Sequence, residues 1–425
     1  MSSFKVEGLV GERRLHGNIM VSGAKNSVLK ALAATLLFED KVMLERVPAI
    51  EDVDRIIELL EGAGAKVKKE GSRVSVTPPN VCVYSLDKKI AERLRASIVL
   101  VGPMLARCGE VGLPFPGGCV LGERPIDLFL NGFKAMGATV SEDDSYFTLK
   151  TPGKLKGAKI FFPSVSVTAT ETLMLAATLA EGETVLENAA MEPEIPALAE
   201  FLNSCGAQIT GAGTSTIRIV GGELLKAQGR SYRVLADRIE TGSFIILAAL
   251  AGSEVTIDDC VPEHSMALIA LLRRAGVDIE IKETSIVVRA NKPNSEYTIP
   301  TVRTHEYPGF PTDLQAPMAV FMSQASGEGT LLETIFDGRF RYVDDLVLMG
   351  ADITVMNPHR ILVRGPRRLS RKVLQSPDLR GGLAYLIAAT VAEGTSTIDN
   401  VYVIDRGYEH IEDRLSKLGL NIKRE

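Results

Sequence analysis

One glycine-centred phrase recurs six times along the chain and constrains the fold more than any other feature. A leucine-rich helical segment ends in glycine, and an alternating strand-like segment follows, as in residues 59–67 and 134–140. The phrase returns at intervals of 69 to 74 residues. Its glycines are Gly64, Gly137, Gly206, Gly276, Gly350 and Gly419. Regular spacing of this kind predicts six copies of one supersecondary unit.

Each copy is predicted to be a βαβαββ unit with one buried helix and one amphipathic helix. Residues 29–37 are apolar nearly all round, which predicts a buried helix. Residues 53–60 place apolar side chains on one helical face, and the glycine then ends that helix before a hairpin. The sixth copy ends at residues 421–423 without a return strand. We expect residues 4–6 to supply that strand.

Six such units are too many for one core of ordinary size, so the 425 residues predict an α/β protein with two domains of three repeats each. Glycine interrupts the pattern near residues 17–23 and again near residues 229–231, where the chain is expected to cross over. One predicted domain therefore combines residues 1–24 with residues 234–425. The other spans residues 25–233 and carries the loop around Cys119.

Composition narrows the class of partner. The formal net charge is −5, which gives no general attraction to nucleic acid or to an anionic membrane, so an anionic ligand must be held by local basic residues. The N-terminus lacks a secretory segment, and the longest apolar runs are too short to span a bilayer. These features predict a cytoplasmic protein that binds neither nucleic acid nor membrane.

The cysteines are odd in number and irregularly spaced, and none forms a C-x-x-C pair. This pattern predicts reduced thiols rather than a disulfide framework or a zinc site. The histidines also lack the spacing of metal ligands, so no metal is expected. The cysteines are Cys82, Cys108, Cys119, Cys205 and Cys260.

Charged residues recur at one register, fourteen positions before the residue that ends each buried helix. The six positions are Lys25, Arg95, Thr168, Arg238, Asp313 and Arg380. Helix N-termini present free N–H groups and a partial positive charge, so they attract anions. Together these side chains predict a strongly cationic cleft that contains one carboxylate. The alternative for each residue is a local cap or salt bridge.

Three arginines stand near the predicted starts of the second helices: Arg124, Arg339 and Arg406. Arginine binds phosphate and carboxylate through two hydrogen bonds, so these residues are candidate clamps for a small anion. The alternative is that they are solvated surface arginines. Neither of the common phosphate-binding glycine loops is present.

The segment 115–127 is a turn-rich loop with three glycines and two prolines. Cys119 lies in it, five residues before Arg124, where a lowered thiol pKa would allow proton exchange or attack on carbon. The alternative is an inert loop cysteine.

Seven short motifs occur in order from end to end, and with them the chain resembles the UDP-N-acetylglucosamine 1-carboxyvinyltransferase group of the enolpyruvyl transferases. They are residues 23–26, 95–97, 116–119, 124–127, 237–242, 310–313 and 404–409. The resemblance covers essentially the whole chain. It implies two inside-out α/β barrel domains that close on their substrates. It also implies transfer of enolpyruvyl from phosphoenolpyruvate to the sugar 3-hydroxyl, by addition and then elimination of phosphate. We expect a monomer without a cofactor.

The resemblance also implies roles for individual residues. Asp313 is expected to take the proton of the attacking hydroxyl, and Cys119 to protonate the methylene carbon or to form an adduct with phosphoenolpyruvate. Lys25, Asn26, Arg124 and Arg406 are expected to hold phosphoenolpyruvate, with Arg380 assisting and Arg339 also in the substrate site. The UDP-sugar is expected to contact Arg95, Arg124, Pro125, Ile126, Asp127, Leu128, Val165, Ser166, Val167 and Ile335.

This sequence departs from the family pattern at Phe129, Ser164, Thr168 and Tyr307. These positions concern the nucleotide side of the site more than the reacting atoms. Two alternative functions remain: an enolpyruvyl transferase that acts on shikimate phosphate, and a non-catalytic relative that binds UDP-sugars. The second would be expected to have lost Lys25, Cys119 or Asp313, and all three are present.

Overall fold

The computed structural model describes residues 2–10, 12–81, 83–92, 94–114, 126–290 and 293–425, without the side chain of Arg95. The chain forms two compact units, and each has its own hydrophobic core. The terminal unit contains residues 2–22 and 236–425, and the central unit contains the described residues from 23 to 235. The chain thus passes from one unit to the other after Ser22 and returns after Leu235.

The strands, in chain order, are β1 (Phe4–Glu7), β2 (Leu15–Met20), β3 (Val42–Glu45), β4 (Lys66–Glu70), β5 (Arg73–Thr77), β6 (Glu110–Pro114), β7 (Thr139–Glu142), β8 (Tyr146–Lys150), β9 (Lys159–Phe161), β10 (Glu183–Glu187), β11 (Gln208–Thr210), β12 (Thr216–Val220), β13 (Ser231–Arg233), β14 (Gly252–Asp258), β15 (Asp278–Ile281), β16 (Ser285–Arg289), β17 (Val302–Arg303), β18 (Gly327–Leu332), β19 (Asp352–Asn357), β20 (Arg360–Gly365), β21 (Val373–Gln375), β22 (Thr395–Asp399) and β23 (Ile422–Arg424).

The α-helices are α1 (Lys25–Ala34), α2 (Glu51–Gly62), α3 (Lys88–Ala91), α4 (Val101–Cys108), α5 (Asp127–Ala135), α6 (Val167–Ala177), α7 (Glu194–Ser204), α8 (Arg238–Ala251), α9 (Met266–Arg274), α10 (Gln315–Gln324), α11 (Val343–Met349), α12 (Leu379–Val391), α13 (Tyr402–Asp405) and α14 (Ile411–Lys417). Short 3-10 turns join several of them.

The described strands form six small sheets, three in each unit. In the terminal unit the strand orders are β2-β14-β16-β15, β17-β18-β20-β19 and β21-β22-β1-β23. In the central unit they are β13-β3-β5-β4, β6-β8-β7 and β9-β10-β12-β11. The segment from β17 to β20 shows the arrangement of one repeat. The parallel strands β17 and β18 are connected through α10, and a hairpin of β19 and β20 follows α11.

Three sheets take a strand from a distant part of the chain. β13, near the end of the central unit, pairs with β3 near its start, and β2 pairs in parallel with β14. The sixth sheet is completed by β1, in which Phe4–Val6 pair with β23 on one side and with β22 on the other. Distant parts of the chain are therefore joined within both units.

The repeated glycines have a common backbone conformation. All six have φ between +89° and +114°, in the left-handed region that favours glycine, and each lies within two residues of the end of the second helix of a repeat. Gly350, for example, is the C-cap of α11. The regular spacing in the sequence therefore comes from six helices that end in the same way.

Helices α8, α10 and α12 of the terminal unit are buried along almost their whole length. In α8 every residue from Ile239 to Ala251 is buried, and in α12 every residue from Arg380 to Val391 is buried. An apolar surface on all sides is stable only in a core, which confirms the interpretation of segments such as residues 29–37. No helix among the described residues is long and apolar enough to cross a membrane.

The expectation of reduced thiols is wrong at one position. Cys108, the last residue of α4, is disulfide-bonded, whereas Cys205 and Cys260 are buried free thiols. Spacing along the chain did not indicate this bond because no C-x-x-C motif brings two cysteines together locally.

Candidate functional site

All six register positions lie at the start of a helix or in the short turn that leads into one. Lys25 and Arg238 are the first residues of α1 and α8, Thr168 and Arg380 are the second residues of α6 and α12, Arg95 begins the 3-10 turn before α4, and Asp313 lies in the 3-10 turn before α10. The sequence prediction is confirmed in this respect.

Carboxylates cap two of these helices. The Asp237 Oδ1 accepts hydrogen bonds from the first N–H groups of α8, at 2.8 and 3.0 Å. The Asp378 Oδ1 does the same for α12, at 2.8 and 3.0 Å. The expectation of free N–H groups is therefore wrong for α8 and α12, because a carboxylate on the preceding residue already accepts from them. A ligand anion would be held there by the arginine side chains instead.

Asp313 is held by two buried arginines of the terminal unit. The Arg339 Nη2 donates to Asp313 Oδ1 at 2.6 Å, and the Arg380 Nε donates to Oδ2 at 3.2 Å. The two arginine side chains are 6% and 7% exposed, whereas the Asp313 side chain is 25% exposed. The interpretation of Arg339 as a solvated surface residue is excluded. The carboxylate can thus be reached from solvent while its two cations are fixed inside the unit.

These cations determine the electrostatics of the carboxylate. Burial alone would raise the pKa of Asp313, but Arg380 and Arg339, with a further contribution from Arg238, hold that pKa well below its usual range. Asp313 is therefore ionised at neutral pH. A carboxylate in this state can accept a proton, but the neighbouring positive charges weaken it as a base.

The arginines are themselves oriented by aromatic and hydroxyl groups. The Arg380 Nη1 donates to the Tyr408 hydroxyl at 2.8 Å, and burial raises the pKa of Tyr408 to about 12. The Arg339 guanidinium lies over the Phe336 ring, 5.3 Å from its centre, and that of Arg238 lies over the Tyr307 ring at 5.8 Å. Tyr307, which departs from the family pattern, therefore contacts a cation near the carboxylate.

The second cluster lies in the first turn of α1, in the central unit. The Lys25 Nζ is 2.5 Å from Asp52 Oδ2, and Asp52 is 2% exposed in the first turn of α2. The Lys30 Nζ donates to the main-chain oxygen of Asn26 at 2.7 Å. The side chain of Lys25 and the main chain of Asn26 are therefore held by two different partners, Asp52 and Lys30.

A buried ion pair lies behind this turn. The Lys30 Nζ is 3.0 Å from Glu171 Oε2, and the two side chains are 9% and 1% exposed. Burial raises the pKa of Glu171 to about 7, Lys30 acts in the opposite direction, and Glu194 and Glu192 add to the increase. Part of the charge in this core is therefore titratable near neutral pH.

The remaining predicted residues stand as follows. Cys119, Arg124 and Pro125 lie outside the described residues, as does the side chain of Arg95. Asp127 and Leu128 begin α5, with Ile126 just before it, and Ser166 caps α6 beside Val165 and Val167. Ile335 lies in the loop after β18.

Two of the arginines do not begin a helix as predicted. Arg339 lies in the loop before α11, and Arg406 is the C-cap of α13 and is half-buried. The second helices of these repeats, α11 and α14, begin four and five residues later, at Val343 and Ile411.

Sequence reasoning missed Asp52, Thr312 and Glu333, which contact the predicted residues directly. Glu333 directly follows the apolar pair Leu331 and Leu332 at the end of β18, and its 1% exposure is unusual for glutamate. The position of this acid next to a buried strand end was the signal available in the sequence.

Comparison with known proteins identifies the family. The family model of EPSP synthase (3-phosphoshikimate 1-carboxyvinyltransferase) matches residues 9–415. The chain is 44% identical to the UDP-N-acetylglucosamine 1-carboxyvinyltransferase of Photorhabdus laumondii and 43% identical to that of Serratia proteamaculans. Both alignments cover 100% of this chain and 99% of the relative.

The chain belongs to the UDP-N-acetylglucosamine 1-carboxyvinyltransferase family. This membership confirms the resemblance carried by the seven motifs. It also identifies the protein as an enzyme of the enolpyruvyl transferase class.

Solved structures support the fold of this family. The enolpyruvyl transferase NikO from Streptomyces tendae superposes with a TM-score of 0.86 at 22% identity, covering 100% of this chain and 98% of that one. EPSP synthase from Acinetobacter baumannii gives a TM-score of 0.72 at 17% identity, with 100% of both chains covered. The predicted two-domain α/β class is therefore confirmed.

Proposed function

We propose that this protein transfers the enolpyruvyl group of phosphoenolpyruvate to the 3-hydroxyl of UDP-N-acetylglucosamine and releases phosphate. This reaction would supply peptidoglycan precursors in the cytoplasm. The observation that supports it best is the accessible Asp313 carboxylate held by the buried side chains of Arg339 and Arg380. That arrangement combines a proton acceptor with cations suited to an anionic substrate.

The reaction proceeds by addition and elimination. In the addition, a proton is added to the methylene carbon of phosphoenolpyruvate, the sugar 3-oxygen bonds to the adjacent carbon, and Asp313 takes the hydroxyl proton. In the elimination, a proton leaves the new methyl group, the bond from carbon to the phosphate oxygen breaks, and phosphate departs. Positive charge fixed in advance stabilises the phosphate as it leaves.

The basicity of Asp313 is coupled to the substrate anion in this scheme. Arg339 and Arg380 lower the pKa of Asp313 in the structure described here. A phosphate or carboxylate bound to the same guanidinium groups shares their charge, so the carboxylate becomes a better base when substrate is present. Lys25 and Asn26, anchored at α1, would bind phosphoenolpyruvate together with Arg124 and Arg406.

The other assignments carry over from the family. Cys119 would donate the proton to the methylene carbon or form an adduct that governs turnover. Arg95, the segment 124–128, Val165 to Val167 and Ile335 would contact the UDP-sugar. We further propose that the protein works as a monomer and that its domain boundaries lie near residues 24 and 234.

Release of phosphate tests the proposal. With phosphoenolpyruvate present, we expect release with UDP-N-acetylglucosamine and none with shikimate 3-phosphate. Release with shikimate 3-phosphate alone would establish the rival enolpyruvyl transferase. Absence of release with either acceptor, together with tight binding of the UDP-sugar, would instead favour a non-catalytic relative.

A further inference from the structure

Glu333 is a buried carboxylate to which the proposed reaction assigns no part. It follows β18 in the terminal unit and is 1% exposed. Its Oε2 accepts from the Thr312 hydroxyl at 2.8 Å and from the Gln315 Nε2 at 2.7 Å. Its Oε1 accepts from the backbone N–H groups of Ile335 and Phe336, at 2.8 and 3.1 Å. All four partners are donors, so both oxygens of Glu333 act as acceptors.

The four donors belong to two different segments of the site. Thr312 and Gln315 flank Asp313 in the 3-10 turn and at the start of α10, whereas Ile335 and Phe336 lie in the loop that leads to Arg339. That loop contains neither helix nor strand before α11. It therefore lacks the regular backbone hydrogen bonds of a helix or a strand. The carboxylate of Glu333 instead accepts from two of its backbone N–H groups.

A relay of hydrogen bonds connects Glu333 to the carboxylate of Asp313. The Thr312 hydroxyl uses its one proton to donate a hydrogen bond to Glu333. Its oxygen can therefore accept a hydrogen bond from Arg339 Nη1, at 2.6 Å. The other terminal nitrogen of Arg339 donates to Asp313 Oδ1, also at 2.6 Å. The orientation of the Arg339 guanidinium, and with it that of Asp313, thus depends on which way the Thr312 hydroxyl points.

The buried side chain of Gln315 also donates to this carboxylate. The residue is 0% exposed, and its side-chain nitrogen donates to Glu333. Its Oε1 has no hydrogen-bond partner within the part of the chain that the structure describes. Burying an unsatisfied oxygen costs free energy of folding. The hydrogen bond to Glu333 is thus the polar interaction that the Gln315 side chain makes among the described residues.

We propose that Glu333 is a positioning residue for the reaction: it fixes the Arg339 guanidinium against Asp313 and holds the Ile335 loop in place. This inference rests on the proposed function, because it concerns the orientation of the proposed base and its cation. Glu333 itself does not contact substrate. The competing explanation is that Glu333 only stabilises the fold of the terminal unit.

The substitution Glu333→Gln separates these explanations. An amide has one acceptor oxygen, so whichever way it is oriented its NH2 group faces two N–H or O–H donors. We expect kcat per folded molecule to fall about 10²-fold, as is typical when a reacting group is displaced by about 1 Å. The KM for phosphoenolpyruvate should change much less. Thermal unfolding of each variant gives the folded fraction at the assay temperature.

A double variant separates stability from positioning. Combining Glu333→Gln with Gln315→Glu exchanges donor and acceptor across the 2.7 Å contact, so an N–H again faces a carboxylate oxygen. The Thr312 hydroxyl, which donates to the same oxygen of Glu333, still faces an NH2 group in this variant. We therefore expect the double variant to unfold at a higher temperature than Glu333→Gln while its kcat stays at least tenfold below that of the wild type. A wild-type kcat per folded molecule in the double variant, or in Glu333→Gln alone, would overturn the assignment.

If Glu333→Gln does not fold, Thr312→Val tests the same relay. Valine keeps the shape of threonine and removes the hydroxyl that links Glu333 to Arg339. We expect kcat to fall at least tenfold in Thr312→Val. The matched control is Thr390→Val, which removes a buried hydroxyl bonded to Leu386 O at 2.8 Å within α12, and which should keep the wild-type kcat. Equal kcat values in the two valine variants would refute the relay.

Wild-type protein is assayed in parallel to separate the two hypotheses. If the wild type releases no phosphate with either acceptor, the proposed function fails, and the relay is then judged from crystal structures of the wild type and of Glu333→Gln. A lengthened contact between Arg339 and Asp313 in the variant supports the positioning role. An unchanged contact overturns it.

Discussion

Asp313 is a carboxylate whose chemistry depends on its neighbours. Replacing it with asparagine keeps its shape but removes both the proton acceptor and the counter-charge of Arg339 and Arg380. General-base groups contribute about 10²- to 10⁴-fold to a rate. We therefore expect kcat to fall by about that factor in Asp313→Asn, measured as phosphate release per folded molecule.

The control for this prediction is Asp337→Asn. The Asp337 side chain is 85% exposed and lies in the loop before Arg339, so its substitution should leave kcat unchanged. A value of kcat in Asp313→Asn within about threefold of the wild type would exclude Asp313 as the base. The melting temperature of Asp313→Asn should also fall, because it leaves two buried arginines without their carboxylate.

Helices α1 and α6 meet at a buried charge. The Glu171 carboxyl has a pKa of about 7 in the folded protein and an ordinary value of 4.5. The folded state therefore binds more protons than the unfolded chain between these pH values. The contribution of Glu171 to the free energy of unfolding is therefore largest below about pH 4.5, and it decreases as the pH rises to about 7.

The substitution Glu171→Gln removes this titration. As the pH rises from 5 to 7, we expect the unfolding free energy of the variant minus that of the wild type to increase by about 2 kcal/mol. Urea unfolding at several pH values measures it. Glu223→Gln, at an 86% exposed side chain, should show no such trend. A flat difference for Glu171→Gln would mean that Lys30 keeps the carboxyl ionised throughout.

The elements of the site were only partly predictable from the sequence. Helix starts near Arg238 and Arg380 followed from a glycine register, and the one at Lys25 from the corresponding count back from Glu39, because a repeated fold repeats its local signals. The contact of Asp313 with Arg339 did not follow, because it joins residues 26 positions apart across a loop. Glu333 was missed because glutamate is normally a surface residue, and its position directly after the apolar end of β18 was the indication of burial that the sequence offered.

At the scale of the whole molecule, the order of the strands shows how the termini are joined. β1 lies between β22 and β23 in the sixth sheet, and Phe4 and Val6 are fully buried. Local patterns gave the α/β class and the repeat. The pairings of β13 with β3 and of β2 with β14 were not specified, since parallel partners carry no local signal of each other.

Removal of residues 2–10 should therefore prevent stable folding of the terminal unit. The truncation exposes the apolar positions that Phe4 and Val6 cover and leaves β22 and β23 without their shared neighbour. Circular dichroism and thermal unfolding report the loss. Truncated protein that keeps a cooperative transition at the wild-type temperature would show that β1 is dispensable.

We propose that this chain moves a three-carbon unit from phosphoenolpyruvate to a UDP-sugar. The most direct test supplies carbon-labelled phosphoenolpyruvate and UDP-N-acetylglucosamine, then follows phosphate release and the labelled product together. We predict equal amounts of phosphate and of UDP-N-acetylglucosamine bearing the label as an enol ether on its 3-oxygen. Phosphate released with the label recovered as free pyruvate, or label found only on shikimate 3-phosphate when that acceptor is offered, would contradict this account.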